Sequence, residues 1–141
     1  MTEVFIDIDV TMDFLTKREP FSYDSMKLFE FASRGKLKIY ISSLSINNIN
    51  YVISRLENVE SAKKKIGLLL KLVEILPVGK STIENSYFSD FKDFEDGLQN
   101  FCAKENKIKF IITRNTTDYA KSNLAIFNPK EFLGIYEKKL G

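Results

Sequence analysis

The feature that most constrains this chain is an alternation. Five short apolar runs, at residues 4–6, 37–41, 73–78 (broken by Pro77), 110–112 and 125–127, are each bounded by polar or turn residues. Short apolar runs of this kind suit strands buried on both faces. The segments between them follow helical spacing. Met26, Leu28, Phe29 and Ala32 suit a helix stopped by Gly35. Ile49, Val52, Ile53 and Leu56 mark a second, and Ala62, Ile66, Leu69, Leu70 and Val73 a third. Phe94, Leu98, Phe101 and Cys102 mark another, with Asp93 placed to cap it, and Asn128-Pro129 opens a last helix through Phe132 and Tyr136. Strands alternating with helices predict an α/β fold with a mostly parallel sheet of about five strands and right-handed crossovers. A chain of 141 residues suits one domain spanning residues 1–141.

Composition removes several chemistries. The chain has no histidine and a single cysteine, Cys102. That excludes a Ser-His-Asp triad, a His-ligated zinc or haem, a disulfide framework and a Cys-x-x-Cys motif. Any catalysis must rest on carboxylates, amides, hydroxyls, Lys, Arg or a hard metal ion. The 21 Lys and Arg against 19 Asp and Glu leave a net charge of +2, too mild to announce nucleic-acid binding by itself. The run Lys63-Lys64-Lys65 reads as a solvated helix face. Most of the twelve Phe and six Tyr sit at strand or helix spacing and read as packing. The opening Met1-Thr2-Glu3 lacks a basic, then apolar, leader, and no apolar run is long enough to cross a membrane. With a lone thiol, these features predict a cytoplasmic protein.

In parallel α/β sheets, ligands sit beyond the carboxyl ends of the strands, so the residues just after each run matter most. The first run ends in Asp7-Ile8-Asp9, with Asp13 a helical turn further on. One acid there can cap a helix, but one cap needs one side chain. The second run ends in Ser42-Ser43, and Ser43 or Ser45 can cap the helix that carries Asn47, Asn48 and Asn50. Asp93, Glu95 and Asp96 open a later helix, where acids also suit the helix dipole. The fourth run leads into Thr113-Arg114-Asn115-Thr116-Thr117-Asp118-Tyr119, where Asn115 or Asp118 can cap a short helix. If these ends meet at one sheet edge, the acids repel one another and require a counter-ion. With neither His nor Cys to take part, Mg²⁺ or Mn²⁺ is the natural candidate.

Taken in order, these segments resemble the PIN domain family of small metal-dependent ribonucleases, which includes the VapC-type toxins. The resemblance rests on Val4 through Asp9 with Asp13-Phe14-Leu15 and Arg18-Glu19-Pro20-Phe21, on Ile41 through Ile49, on Asp93 through Gln99, on Ile112 through Tyr119, and on Asn128 through Leu133. It implies a three-layer α/β/α sandwich, Mg²⁺-dependent cleavage of RNA, a cognate antitoxin and often a homodimer, with no membrane partner. Carried over residue by residue, Asp7 is the central metal ligand, Asp96 the second, and Asn115 or Asp118 the ligand after the fourth strand. Thr113 orients Asp7. Asp9, Asn48 and Asp93 are supporting residues, and Arg114 and Lys121 steer the RNA. The chain departs from the family where Asn48 takes the place of a helical Glu, and where Asp9 takes the place of a usual Asn.

Two other readings stand beside a PIN nuclease. Asn48 motivates a catalytically weakened PIN domain that binds protein or RNA. Asp7-Ile8-Asp9-Val10-Thr11 also resembles the Asp-x-Asp-x-Thr loop of haloacid-dehalogenase-type phosphatases, although no partner motifs accompany it.

Overall fold

The computed structural model describes residues 1–140 and places all five apolar runs in one parallel sheet. The strands are β1 (Thr2–Ile6), β2 (Leu37–Ser42), β3 (Val73–Leu76), β4 (Phe110–Ile112) and β5 (Ala125–Phe127), in spatial order β3-β2-β1-β4-β5. Every pairing is parallel, with Val4 opposite Ile39 and Phe5 opposite Ile111. The helices are α1 (Ile8–Thr16), α2 (Ser22–Ser33), α3 (Ser43–Leu56), α4 (Val59–Leu72), α5 (Lys80–Tyr87), α6 (Phe94–Glu105) and α7 (Pro129–Leu140), and a short 3₁₀ turn covers Thr116–Tyr119.

Side chains alternate across β1 and so divide the core in two. Val4 and Ile6 face a cluster made with Val10 and Leu15 of α1, Leu28 and Phe29 of α2, Ile49 and Ile53 of α3, Leu69 of α4 and Phe132 of α7. Phe5 faces the other way, into Ile111, Tyr119, Cys102 and Ala103. Helices therefore cover both faces, giving the three layers α/β/α. From β1 the chain steps outward to β2 and β3, then returns across β1 to β4 and β5. The order reverses between β1 and β4, and in parallel α/β sheets the carboxyl ends of the strands at such a reversal form the ligand crevice.

Some local expectations need correction. Val73 belongs to β3 instead of the preceding helix, and Leu70 is exposed. The cap of α3 is Ser42, whose hydroxyl accepts from Ser45 N at 3.2 Å, and not Ser43 or Ser45. Ser43 instead accepts from Val78 N across the sheet edge. The shift follows from backbone geometry: Ser42 keeps extended angles (φ −84°, ψ 156°), as an N-cap requires, while Ser43 is already helical. Gly35 takes φ +70° just past α2, a conformation that costs glycine little.

Candidate active site

Asp7 stands at the crevice, between the last residue of β1 and the first of α1. Its backbone N–H donates to Ile112 O of β4 at 3.0 Å, so the strand pairing itself fixes its position. The side chain is buried and accepts from four donors: Ile8 N (2.8 Å) and Gln99 Nε2 (3.4 Å) on Oδ1, Thr113 Oγ1 (3.0 Å) and Tyr119 OH (3.0 Å) on Oδ2. A buried carboxylate is costly without such partners. Thr113 is oriented in turn, because its hydroxyl also accepts from Asn115 N at 3.2 Å.

Three helices bring neutral partners to the same wall. Gln99, buried on α6, accepts from Ser42 Oγ at 2.6 Å and donates to Ser45 Oγ at 3.1 Å as well as to Asp7. Gln99 lies one helical turn beyond Asp96, which was the available sequence signal for it. Tyr119 falls into the group of aromatics read as packing, and its ring does pack against Phe91 at 6.0 Å. Its hydroxyl, however, reaches the central acid. Burial, Asp7 and Asp96 push the Tyr119 phenol far up, so it stays a donor.

Around Asp7 the other acids gather. Asp96, in the first turn of α6, is pushed up to about 7 by burial, then by the charges of Asp7, Asp93, Asp118 and Glu95. Asp9 is pushed up to about 6 by burial and by Asp7, against the pull of Arg114. Asp9 accepts from Val10 N at 2.7 Å and from Asn115 Nδ2 at 3.2 Å. Asn115 sits at the N-cap of the 3₁₀ turn, yet its side chain makes no capping bond. Asp93 caps α6, accepting from Asp96 N at 3.0 Å. Asp93, Asp96, Asp118 and Lys121 line a cavity of about 370 Å³. Asn48 of α3 meets α6 as well, its Nδ2 lying 3.4 Å from Glu95 Oε1.

Arg114 is committed elsewhere. Its guanidinium lies on the fully buried Asp13, with Nε 2.7 Å from Oδ2 and Nη2 3.3 Å from Oδ1, and it stacks 4.1 Å above the Phe21 ring. Its first duty is to neutralise a buried charge.

Asp7 and Asp118 thus both act on Asp96 electrostatically, although among the described residues no group of three acids is already closed around a common point. The donors are all oxygen and mutually repulsive, which suits a hard divalent cation: its charge relieves the repulsion that holds Asp96 near 7. Another cavity of about 350 Å³ lies at the amino ends of the strands, walled by Phe110, Phe127, Phe132 and Tyr136, and lacks this chemistry.

Residues 3–117 match the model of the PIN domain family. Ribonuclease VapC1 of Aquifex aeolicus (strain VF5) is 27% identical over 135 residues, covering 92% of each chain. Among solved structures, the fold is similar to that in VapBC2 from Rickettsia felis bound to a promoter DNA fragment, with TM-score 0.68 and 17% identity over 90% of this chain and 98% of that one. It is also similar to Mycobacterium tuberculosis VapC20, a toxin that cleaves the sarcin-ricin loop, with TM-score 0.62 and 14% identity over 77% of this chain and 86% of that one.

Proposed function

The chain belongs to the PIN domain family, and from that premise we propose that it is a metal-dependent endoribonuclease, the toxin of a toxin–antitoxin pair acting in the cytoplasm. It is a nuclease of the hydrolase class, and the ion it uses is Mg²⁺ or Mn²⁺. One observation carries the reading. Asp96, raised first by burial, is raised further by acids from the end of β1, from the start of α6 and from the turn after β4, which gather on it at the point where the strand order reverses.

In this reading Asp7 is the central ligand and Asp96 the second. Asp118 is the third, because it shares a cavity wall with Asp96. A bound cation supplies Lewis acidity at the scissile phosphate. The protein does the positioning. Ile8 N and Gln99 Nε2 hold Asp7 Oδ1 while Thr113 and Tyr119 hold Oδ2, so the carboxylate is fixed in orientation through both oxygens. Asp9 adds negative charge beside the centre and is moderated by Arg114. Lys121 and Lys92 flank the cavity and offer the RNA backbone positive charge close to the acids. A cognate antitoxin is the protein partner, as the similarly folded VapBC2 structure suggests, and a homodimer is consistent with the family.

The test is cleavage of an RNA substrate with added Mg²⁺ or Mn²⁺. Asp7→Asn and Asp96→Asn should each lower the rate by at least about a hundredfold while the fold survives. A wild-type protein that binds neither ion by calorimetry would falsify the reading. A second reading, a binding module without turnover, is favoured by Asn48, which offers no charge at its position. It predicts ion binding that depends on Asp7, with no cleavage of any RNA.

A further inference from the structure

α3 and α6 meet through a buried contact, Gln99 Nε2 donating to Ser45 Oγ at 3.1 Å, and through an exposed polar pair, Asn48 and Glu95, with Asn48 Nδ2 3.4 Å from Glu95 Oε1. α3 contributes nothing ionised to the site: Ser42 and Ser45 are engaged with Gln99, and Asn48 is neutral. The facing residue on α6 carries a carboxyl group, Glu95. We propose that Glu95 supplies the negative charge that α3 lacks, so that Asn48 and Glu95 form an exchanged pair, amide on α3 and carboxylate on α6, with Glu95 serving as a cation-binding carboxylate beside Asp7 and Asp96. This inference rests on reading the site as one for a divalent cation.

The chemistry of the pair supports it. An amide nitrogen donates to a carboxylate oxygen, so Asn48 holds Glu95 toward α3. A glutamate at position 48 would set two like charges against each other at this distance. Nor is Glu95 the cap of its helix: Asp93 fills that role, leaving the Glu95 oxygens free apart from Asn48.

The test is calorimetric titration of MnCl₂ into wild type, Glu95→Gln, Asn48→Glu, the double variant carrying both changes, and Asp7→Asn. Thermal melts in EDTA check that each variant is folded. Glu95→Gln should weaken Mn²⁺ binding about tenfold or more. Asn48→Glu alone should bring no gain, because the added acid opposes Glu95. The double variant should recover most of the wild-type affinity, since it returns one acid and one amide to the pair in swapped places. Glu95→Gln that binds Mn²⁺ like wild type, or Asn48→Glu that alone gains sharply, overturns the exchange. The nuclease reading survives either result provided Asp7→Asn abolishes binding. Wild type with no Mn²⁺ binding overturns both.

Discussion

A carboxyl group that is half-buried among other carboxyl groups holds its proton too tightly, and Asp9 and Asp96 show this most strongly here. Asp9 is pushed up to about 6 and Asp96 to about 7, above the usual range for aspartate, by burial first and by neighbouring acids second. In the unfolded chain both lose their protons near pH ~4. The folded state therefore binds more protons between those values, so their contribution to stability is fully present below pH ~4 and fades as pH rises through about 6 and about 7. In EDTA, Asp96→Asn should thus become more stable relative to wild type as pH rises from 5 to 8. At pH 8 the gain should be about 1 kcal/mol, or a few degrees in Tm. Thermal denaturation of both proteins across that range measures the difference, and a gap that shrinks as pH rises rejects it. On the proposed reading, the residue that holds the ion also weakens the metal-free fold.

At the scale of elements, the position of that residue depends on how α6 lies against α5. Gly97 follows Asp96 directly and is buried at the crossing, where an added Cβ would stand 2.2 Å from Ser86 Oγ and 3.2 Å from Ser86 Cβ. Ser86 cannot turn aside freely, because its hydroxyl donates to Phe94 O at 2.8 Å. Gly97→Ala should therefore cost about 1–3 kcal/mol in chemical denaturation. Adding Ser86→Ala should recover most of that loss, and a double variant no better than the single places the strain elsewhere. α5 itself was not legible in the sequence. Its segment Lys80–Tyr87 buries Thr82 and Ser86 instead of an apolar stripe, and Glu105 of α6 accepts from Ser81, Thr82 and Asn85. A helix packed through hydroxyls shows no apolar period. The five strands were legible because each is short, apolar and flanked by turns, as strands covered on both faces must be. The acids at their ends stood out for a related reason, since a charge next to a buried strand demands a partner. The partners did not stand out. Gln99 and Tyr119 are neutral, and only the folded chain brings them to Asp7 from 92 and 112 positions away. Nor could spacing separate Glu95 from Asp96, adjacent acids that point to different neighbours once α3 is in place.

Across the whole molecule, the site is a seam. Asp7 follows the first strand, Asp96 belongs to a helix of the other layer, and Asp118 follows the fourth strand, so their encounter exists only when both halves of the sheet have assembled. A ligand held by all three binds the native state and has no counterpart in the unfolded chain. Such a ligand stabilises the fold by RT ln(1 + [L]/Kd), about 2.7 kcal/mol at a hundredfold excess over Kd. For a chain of this size that corresponds to a rise in Tm of roughly 5–10 °C. Melts at pH 7.5 with increasing MnCl₂ should show the rise, and EDTA should reverse it. In Asp7→Asn the shift should vanish, because the acid at the centre of the seam is gone while Asp96 and Asp118 remain. A shift that persists in Asp7→Asn means that the ion binds elsewhere on the surface, and then the strand ends are joined by packing alone.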